Sequence, residues 1–331
     1  MTEVLHPWLV ADIGGTNARF GLVRSPGAPV TDVLALKGAD FPTPEAAARA
    51  YLERVAQAGG GPVKPQRIAL ALASAIDGDT VKLTNSPWTI SRRAVTDALA
   101  ARQVLLLNDF ESLSLALPGL GDEASGDVRL IGTPRPDRGR TMAVIGPGTG
   151  LGVSTCVPTG HGWIALAAEG GHVTAAPADD FESEVLRVLR IEFRHVSAER
   201  VLSGIGLPLL HRAVSRVRGG PDETLAAEEI TRRAREQRDP HCLATLDTFC
   251  AMLGGFAGNV ALTIGARGGV FIAGGIVPKL GEDFLRSRFR ERFEAKGRFD
   301  AYLARIATAL LTAPHAALRG AAQALVQTPL G

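Results

Sequence analysis

Residues 8–13 form an apolar run that ends in Asp12 and Ile13. After Gly14-Gly15-Thr16-Asn17 the chain resumes an alternating apolar stretch at 18–23. Short apolar runs split by a glycine-rich turn predict two strands joined as a hairpin. The device returns later, where 141–145 leads into Gly146-Pro147-Gly148-Thr149-Gly150 and 151–157 reads as the next strand. Two such hairpins, with no short repeat between them, predict a duplicated α/β architecture of two lobes flanking a cleft, each lobe opening on an antiparallel strand pair.

The remaining pattern fills in both lobes. Runs at 68–73 and 104–107 predict buried strands, and 44–57 and 91–101 have helical spacing with plausible starts. In the second lobe 181–194, 197–217, 228–237 and 241–265 predict helices, and 270–273 one more strand. Residues 119–140, rich in Gly, Pro, Asp and Arg, predict a loop at the lobe boundary, with the hinge near its start. The stretch 249–266 carries no charge and approaches membrane-span length. Asn259 and four glycines within it predict instead a buried helix packed closely through Gly254, Gly255 and Gly258. An alanine-rich helix is expected at 315–326; pattern alone assigns it to neither lobe.

Composition narrows the classes. With 331 residues and 46% hydrophobic side chains the chain can bury two cores. Its 36 basic and 34 acidic groups leave a net charge of +2, no footprint for nucleic acid or an anionic membrane. The arginines crowding 187–305 are interspersed with acids and read as solvated helix faces. Cys156, Cys242 and Cys250 are odd in number and lack C-x-x-C spacing, against a disulfide framework or a cysteine zinc site. Glu3 and the lack of a basic region before an apolar core predict that the N-terminal stretch is not a secretory signal. A cytoplasmic setting is the expectation.

Glycine-rich turns offer backbone N–H donors and room for close approach, which phosphate groups require. The turn after Asp12 lacks the G-K-[ST] ending of a Walker loop, and a strand rather than a helix follows it, which excludes a Rossmann fingerprint. Asp12 itself, at a strand end beside those donors, suits a carboxylate that holds hydrated Mg²⁺ through water. Asn108-Asp109 closes the strand at 104–107, the edge where α/β folds place ligands. Asn108 with Glu111 also fits a capping box for a helix at 110–117, with Asp109 in its first turn, and the two roles can coexist. Glu169-Gly170-Gly171-His172 can present a carboxylate and an imidazole from one loop; it falls short of a zinc set. Glu199, two residues after Ser197, reads on its own as a first-turn acid complementing a helix dipole. Ala273-Gly274-Gly275-Ile276 fits either an ordinary strand-to-helix turn or a glycine step against which an adenosine lies.

Taken in order, these segments resemble the bacterial glucokinase family, within the two-lobed actin-like ATPase (ribonuclease-H-like) fold shared by sugar kinases and heat-shock ATPases. The resemblance runs nearly end to end. It rests on Val10-Ala11-Asp12-Ile13-Gly14-Gly15-Thr16-Asn17-Ala18-Arg19, Leu107-Asn108-Asp109-Phe110, Gly146-Pro147-Gly148-Thr149-Gly150-Leu151-Gly152, Glu169-Gly170-Gly171-His172, His195-Val196-Ser197-Ala198-Glu199-Arg200-Val201-Leu202-Ser203-Gly204 and Gly269-Val270-Phe271-Ile272-Ala273-Gly274-Gly275-Ile276-Val277-Pro278.

The resemblance implies ATP-dependent phosphorylation of D-glucose at O6, with Mg²⁺ and usually as a homodimer. It implies that Asp12, Ile13, Gly14, Gly15, Thr16 and Asn17, with Gly146, Gly148 and Thr149, hold the ATP phosphates. Gly274 and Gly275 would lie near the adenosine. Asn108, Asp109, Glu169, His172, Glu199 and Gly150 would meet the sugar, with Asp109 as the base. It also implies a small lobe of 1–119 plus about 312–331 and a large lobe of 120–311. The chain departs from the family pattern at Pro147 and at Ala73-Ser74-Ala75. Neither departure is expected to touch a proposed polar contact, and the second bears on the cleft floor and sugar preference. The cysteine-rich zinc motif that the related ROK group carries after its Glu-Gly-Gly-His-like segment is missing from this sequence. The competing readings are a kinase for another hexose, a sugar-binding regulator without turnover, and a chaperone or filament ATPase that would not need the Asn-Asp and Glu-Gly-Gly-His sets.

Overall fold

Trp8, Leu9, Val10 and Ala11 are all buried, as a continuous apolar run requires of a strand covered on both faces. This strand, β1 (Trp8–Ile13), turns into the antiparallel β2 (Asn17–Val23), which pairs on its far side with β3 (Thr31–Lys37). The computed structural model describes residues 6–83 and 86–330. Glu3, on which the non-secretory reading rests, and position 331 of the expected small lobe lie outside the described residues.

On its other flank β1 runs parallel to β4 (Arg67–Leu72). A separate antiparallel pair, β5 (Thr80–Lys82) and β6 (Thr89–Ser91), precedes β7 (Gln103–Asn108), which is parallel to β4. The sheet order is β3-β2-β1-β4-β7. Helices α1 (Pro44–Val55), α2 (Arg92–Leu99) and α3 (Asp109–Ala116) belong to the same unit. Thr43 and Ser91 cap the first two through their side-chain oxygens.

A second sheet, most of it in the second unit, repeats the plan. Its strands are β8 (Val128–Ile131), β9 (Met142–Pro147), β10 (Leu151–Thr159), β11 (Gly162–Ala168), β12 (Gly269–Ile272) and β13 (Thr308–Leu311), in the order β11-β10-β9-β12-β13-β8. Leaving β8 aside, a hairpin beside three parallel strands appears in both sheets, which is the duplication expected from the two glycine turns. Six strands escaped the pattern: β3, β5, β6, β8, β11 and β13. β8 has only four residues and lies in the Gly/Pro-rich stretch read as loop; it is fixed by antiparallel pairing with β13, which no local signal announces.

The helices of this unit are α4 (Asp180–Glu192), α5 (Gly206–Val217), α6 (Ala227–Arg232), α7 (Pro240–Ile264), α8 (Ile276–Leu280), α9 (Glu282–Leu285), α10 (Phe289–Glu294) and α11 (Asp300–Leu303). The helix expected over 197–217 starts only at Gly206. Ahead of it the N–H groups of Ala198, Glu199 and Gly204 donate to Val173, Gly171 and Gly148, and those of Arg200, Val201 and Leu202 close only a local turn on Ser197 and Ala198, so no helix forms there.

The uncharged stretch is the inner part of α7, and Gly254 and Gly258 let α10 press against it. A Cβ on Gly254 would collide with the Phe289 carbonyl, and one on Gly258 would meet the Phe293 carbonyl at 2.6 Å. Gly255 faces open space and is no packing residue, contrary to expectation. Gly254→Ala is therefore expected to cost about 1–3 kcal/mol through overpacking, seen as a lower urea midpoint at unchanged m-value. Gly255→Ala serves as the control that changes little. The arginines are not all solvated either. Arg292 is 9% exposed and bridges Asp179 and Glu182.

Helix α12 (Ala316–Gln327) belongs to the first unit, with β1, β4 and α3. A Cβ on Gly320 would collide with the Ser112 carbonyl, and the Ser112 hydroxyl donates to the Ala317 carbonyl at 2.7 Å. Altogether Met1–Leu120, Cys156–Ala167 and Pro314–Gly331 form one unit, and Gly121–Thr155 with Ala168–Ala313 the other. All three cysteines are buried and unbridged.

Candidate active site

In the first unit the parallel register aligns Ile13 with Leu72 and Leu72 with Asn108. Two strand spacings, roughly 10 Å, therefore separate the end of β1 from the end of β7. The turn after Asp12 and the Asn108-Asp109 pair thus share the carboxyl edge of one sheet, where α/β folds bind ligands. The turn is held by Gly14 N–H donating to the Asn17 carbonyl at 3.0 Å and Gly38 N–H to the Thr16 carbonyl at 2.8 Å. Thr16 and Asn17 are exposed, and Gly14 and Gly15 partly so. Ile13 is different: its side chain is 1% exposed in the core and its carbonyl accepts from Ala73, so it shapes the turn from below.

Burial pushes the Asp12 carboxyl above the usual carboxylate range, opposed by the charges of Arg19 and His315. Arg19 Nη1 stands 3.3 Å from Asp12 Oδ2. Among the described residues no three metal-ligating side chains gather anywhere. A lone carboxylate beside N–H donors fits a cation that keeps most of its water and takes further ligands from phosphate, the habit of Mg²⁺.

Asn108 is a helix cap as read from the sequence. Its Oδ1 accepts from Phe110 N at 2.9 Å and Glu111 N at 3.2 Å, and Glu111 returns a contact to Asn108 N at 3.2 Å. Burial pushes the Glu111 carboxyl up, against that backbone bond. Asp109 is the first residue of α3, half-buried. Asn108 Nδ2 also donates to the Ser74 carbonyl at 3.2 Å. The Ala73-Ser74-Ala75 departure therefore does touch a candidate polar group, which corrects the expectation that it would not.

The second unit brings its own candidates together. The segments around 171–175 and 196–199 pair through Ala175 N–H to Val196, Ala198 N–H to Val173 and Glu199 N–H to Gly171. This places His172 and Glu199 on adjoining chain segments, with Glu169 Oε2 3.9 Å from His172 Nε2. Glu169 and His172 are well exposed and free of the core. Gly171 is obligatory, since a Cβ there would collide with the Leu151 carbonyl. Glu199 is not a helix acid: its Oε2 accepts from Leu151 N at 2.8 Å and stands 2.5 Å from where a Gly150 Cβ would be. The loop at 169–172, Glu199 and the turn at 146–150 are thus locked to one another.

Across the same sheet edge, Ala273 N–H donates to the Ile145 carbonyl at 2.8 Å. Gly274 has φ +83°, and a Cβ there would collide with the Pro147 carbonyl. Pro147, the other departure, thus packs directly on a candidate residue. Gly146 is a buried member of β9, whereas Gly148 and Thr149 reach the surface. Gly148, Thr149, Gly204, Gly275, Ile276 and Lys279 line part of a cavity of about 920 Å³ whose other wall is α6 and the start of α5. Gly204 and the α6 wall were missed in the sequence. The signal available was the Gly204/Gly206 pair, which breaks the helical pattern; α6 offered only an ordinary amphipathic face.

The family profile described as glucokinase matches residues 9–328. The chain belongs to the glucokinase family. The glucokinase of Chromobacterium violaceum is 48% identical over 96% of this chain and 88% of its own length. That of Aromatoleum aromaticum is 47% identical over 97% and 95%. Among solved structures, the crystal structure of glucokinase from an Antarctic psychrotroph matches with a TM-score of 0.90 and 37% identity, covering 98% of this chain and all of that one. The two-lobed sugar kinase fold that the resemblance implied is the fold of this glucokinase-family chain.

Proposed function

We propose that this chain transfers the γ-phosphoryl group of ATP to O6 of D-glucose, giving glucose 6-phosphate. The observation that carries the reading is the shared sheet edge of the first unit, where a phosphate-type turn and Asp109 stand two strands apart. That spacing leaves room for a terminal phosphate and a sugar hydroxyl between them.

Phosphoryl transfer is mostly positioning and charge stabilisation. In the first unit the turn at Gly14, Gly15, Thr16 and Asn17 suits phosphate, its shape fixed by the Gly14 N–H bond to Asn17; in the second the turn at Gly148 and Thr149 does, fixed by the Gly148 N–H bond to Gly150, and Gly274 and Gly275 let the adenosine lie against backbone over the 920 Å³ cavity. Asp109, within about 3 Å of O6, takes its proton. Asn108 is the first unit's further candidate for a sugar hydroxyl, and Glu169, His172 and Glu199 are the second unit's, with Gly150 keeping Glu199 in place. Mg²⁺ arriving with the nucleotide, held through water by Asp12, would neutralise phosphate charge.

The test is glucose-dependent ADP release by the purified chain. Glu169→Gln is expected to raise KM for glucose about tenfold or more, the value of a hydrogen bond to a charged group, with KM for ATP within about twofold. An equal rise for both substrates removes Glu169 from the sugar. ADP release with mannose or fructose and none with glucose would move the acceptor to another hexose.

A further inference from the structure

At the opposite edge of the second sheet, the amino ends of β9, β12 and β13, lies a pocket of about 250 Å³. It is bordered by Arg135, Asp137, Arg140, Arg267, Tyr302 and Arg305. These come from three separate segments, preceding β9, β12 and β13 in turn. The frame is built rather than loose. Asp137 N–H donates to the Gly268 carbonyl at 3.0 Å and Gly268 N–H to the Thr141 carbonyl at 2.8 Å. A Cβ on Gly268 would meet the carbonyls of Arg140 at 2.6 Å and Asp137 at 2.7 Å, so only glycine lets the two segments touch.

The charges do not balance. Arg140 Nε is bound to Asp137 Oδ2 at 2.6 Å. The hydrogen bond from Arg140, that from Gly139 N–H and the charge of Arg267 hold the Asp137 carboxyl below the usual range. Among the described residues the side chains of Arg135, Arg267 and Arg305 make no hydrogen bond or close ion pair, Arg267 acting on Asp137 only through its charge. With four guanidinium groups and one carboxylate on its border, this small concavity carries an excess of three positive charges, on a chain whose whole formal charge is +2. Bringing like charges together is unfavourable unless an anion sits among them.

We propose that Arg135, Arg267 and Arg305 form a binding site for a small phosphate-bearing anion, remote from the reaction site. Guanidinium forks match phosphate oxygens two at a time, and the Tyr302 hydroxyl adds a further donor. The volume falls just under the roughly 300–1,000 Å³ of drug-sized ligand pockets, so the site takes inorganic phosphate or a short phosphomonoester rather than a nucleotide. The proposal does not depend on the kinase reading, because the glycine turns at 146–150 and 274–275 lie at the other ends of the same strands.

The test titrates inorganic phosphate and, separately, glycerol 3-phosphate into the full chain by calorimetry. Saturating ADP occupies the nucleotide cavity, and chloride holds ionic strength constant. One site per chain is expected, with affinity at least tenfold weaker in Arg267→Gln/Arg305→Gln. The variant should keep the parent's melting temperature and its kinase rate without phosphate, since both side chains are exposed. Tighter binding of glycerol 3-phosphate would identify a monoester as the ligand, and tighter binding of phosphate the free anion. Equal affinity in variant and parent, or heat no greater than that of chloride alone, would overturn the site.

Discussion

Asp109→Asn is expected to lower kcat by roughly 10² to 10⁴, the usual worth of a positioned general base, while leaving the fold and glucose affinity in place. The structure separates base from scaffold at this position. The cap of α3 is made by Asn108 and closed by Glu111, and α12 packs on the helix from behind. The bond from Phe110 N to Asp109 Oδ1 at 3.0 Å is equally available to an asparagine oxygen. ADP release should fall with KM for glucose and the melting temperature close to the parent's. Turnover within a few-fold of the parent would remove Asp109 from its role.

Arg292→Met should destabilise the chain by about 3–5 kcal/mol near pH 7, because it leaves a buried carboxylate without its partner. Arg292 reaches Glu182 at 2.6 Å and Asp179 at 2.8 Å, and Glu182 is only 2% exposed. Burial already pushes the Glu182 carboxyl above its usual range, even with the guanidinium beside it; without Arg292 it rises further. A carboxyl whose folded pKa is raised carries no penalty below its unfolded value of 4.5 and a growing one as pH climbs through the folded value. The gap between variant and parent in urea denaturation should therefore narrow as pH falls toward 4.5. Adding Glu182→Gln to Arg292→Met should recover most of the loss. A gap that stays constant with pH would mean that lost packing, not a stranded charge, is responsible.

The two hairpins were legible because strand alternation and glycine turns are local signals, and each lies within about fifteen residues. The capping box at Asn108 and Glu111 was legible for the same reason, and so was the burial of α7. What escaped depends on distant partners. β8 exists because β13 pairs with it, and nothing in Val128-Arg129-Leu130-Ile131 indicates that. The apolar Val201 and Leu202 mimicked helical spacing at 197–205, where the backbone makes a local turn at 197–202 and the N–H groups of Ala198, Glu199 and Gly204 go to Val173, Gly171 and Gly148. Glu199 consequently looked like a dipole acid, and only the family resemblance gave it another role. Arg292 sat in a run of interspersed charges whose surface reading was right for many neighbours and wrong for Arg292 and Arg290, which fold inward.

The contact between Ser112 and Ala317 joins residues 205 positions apart. During translation at roughly 5–20 residues per second, α3 emerges many seconds before the helix that steadies it from behind. The nascent first unit must wait, with one face of its sheet bare, until the second unit has been made. The segment bearing Asp109 is thus among the earliest to be synthesised and among the last to be completed.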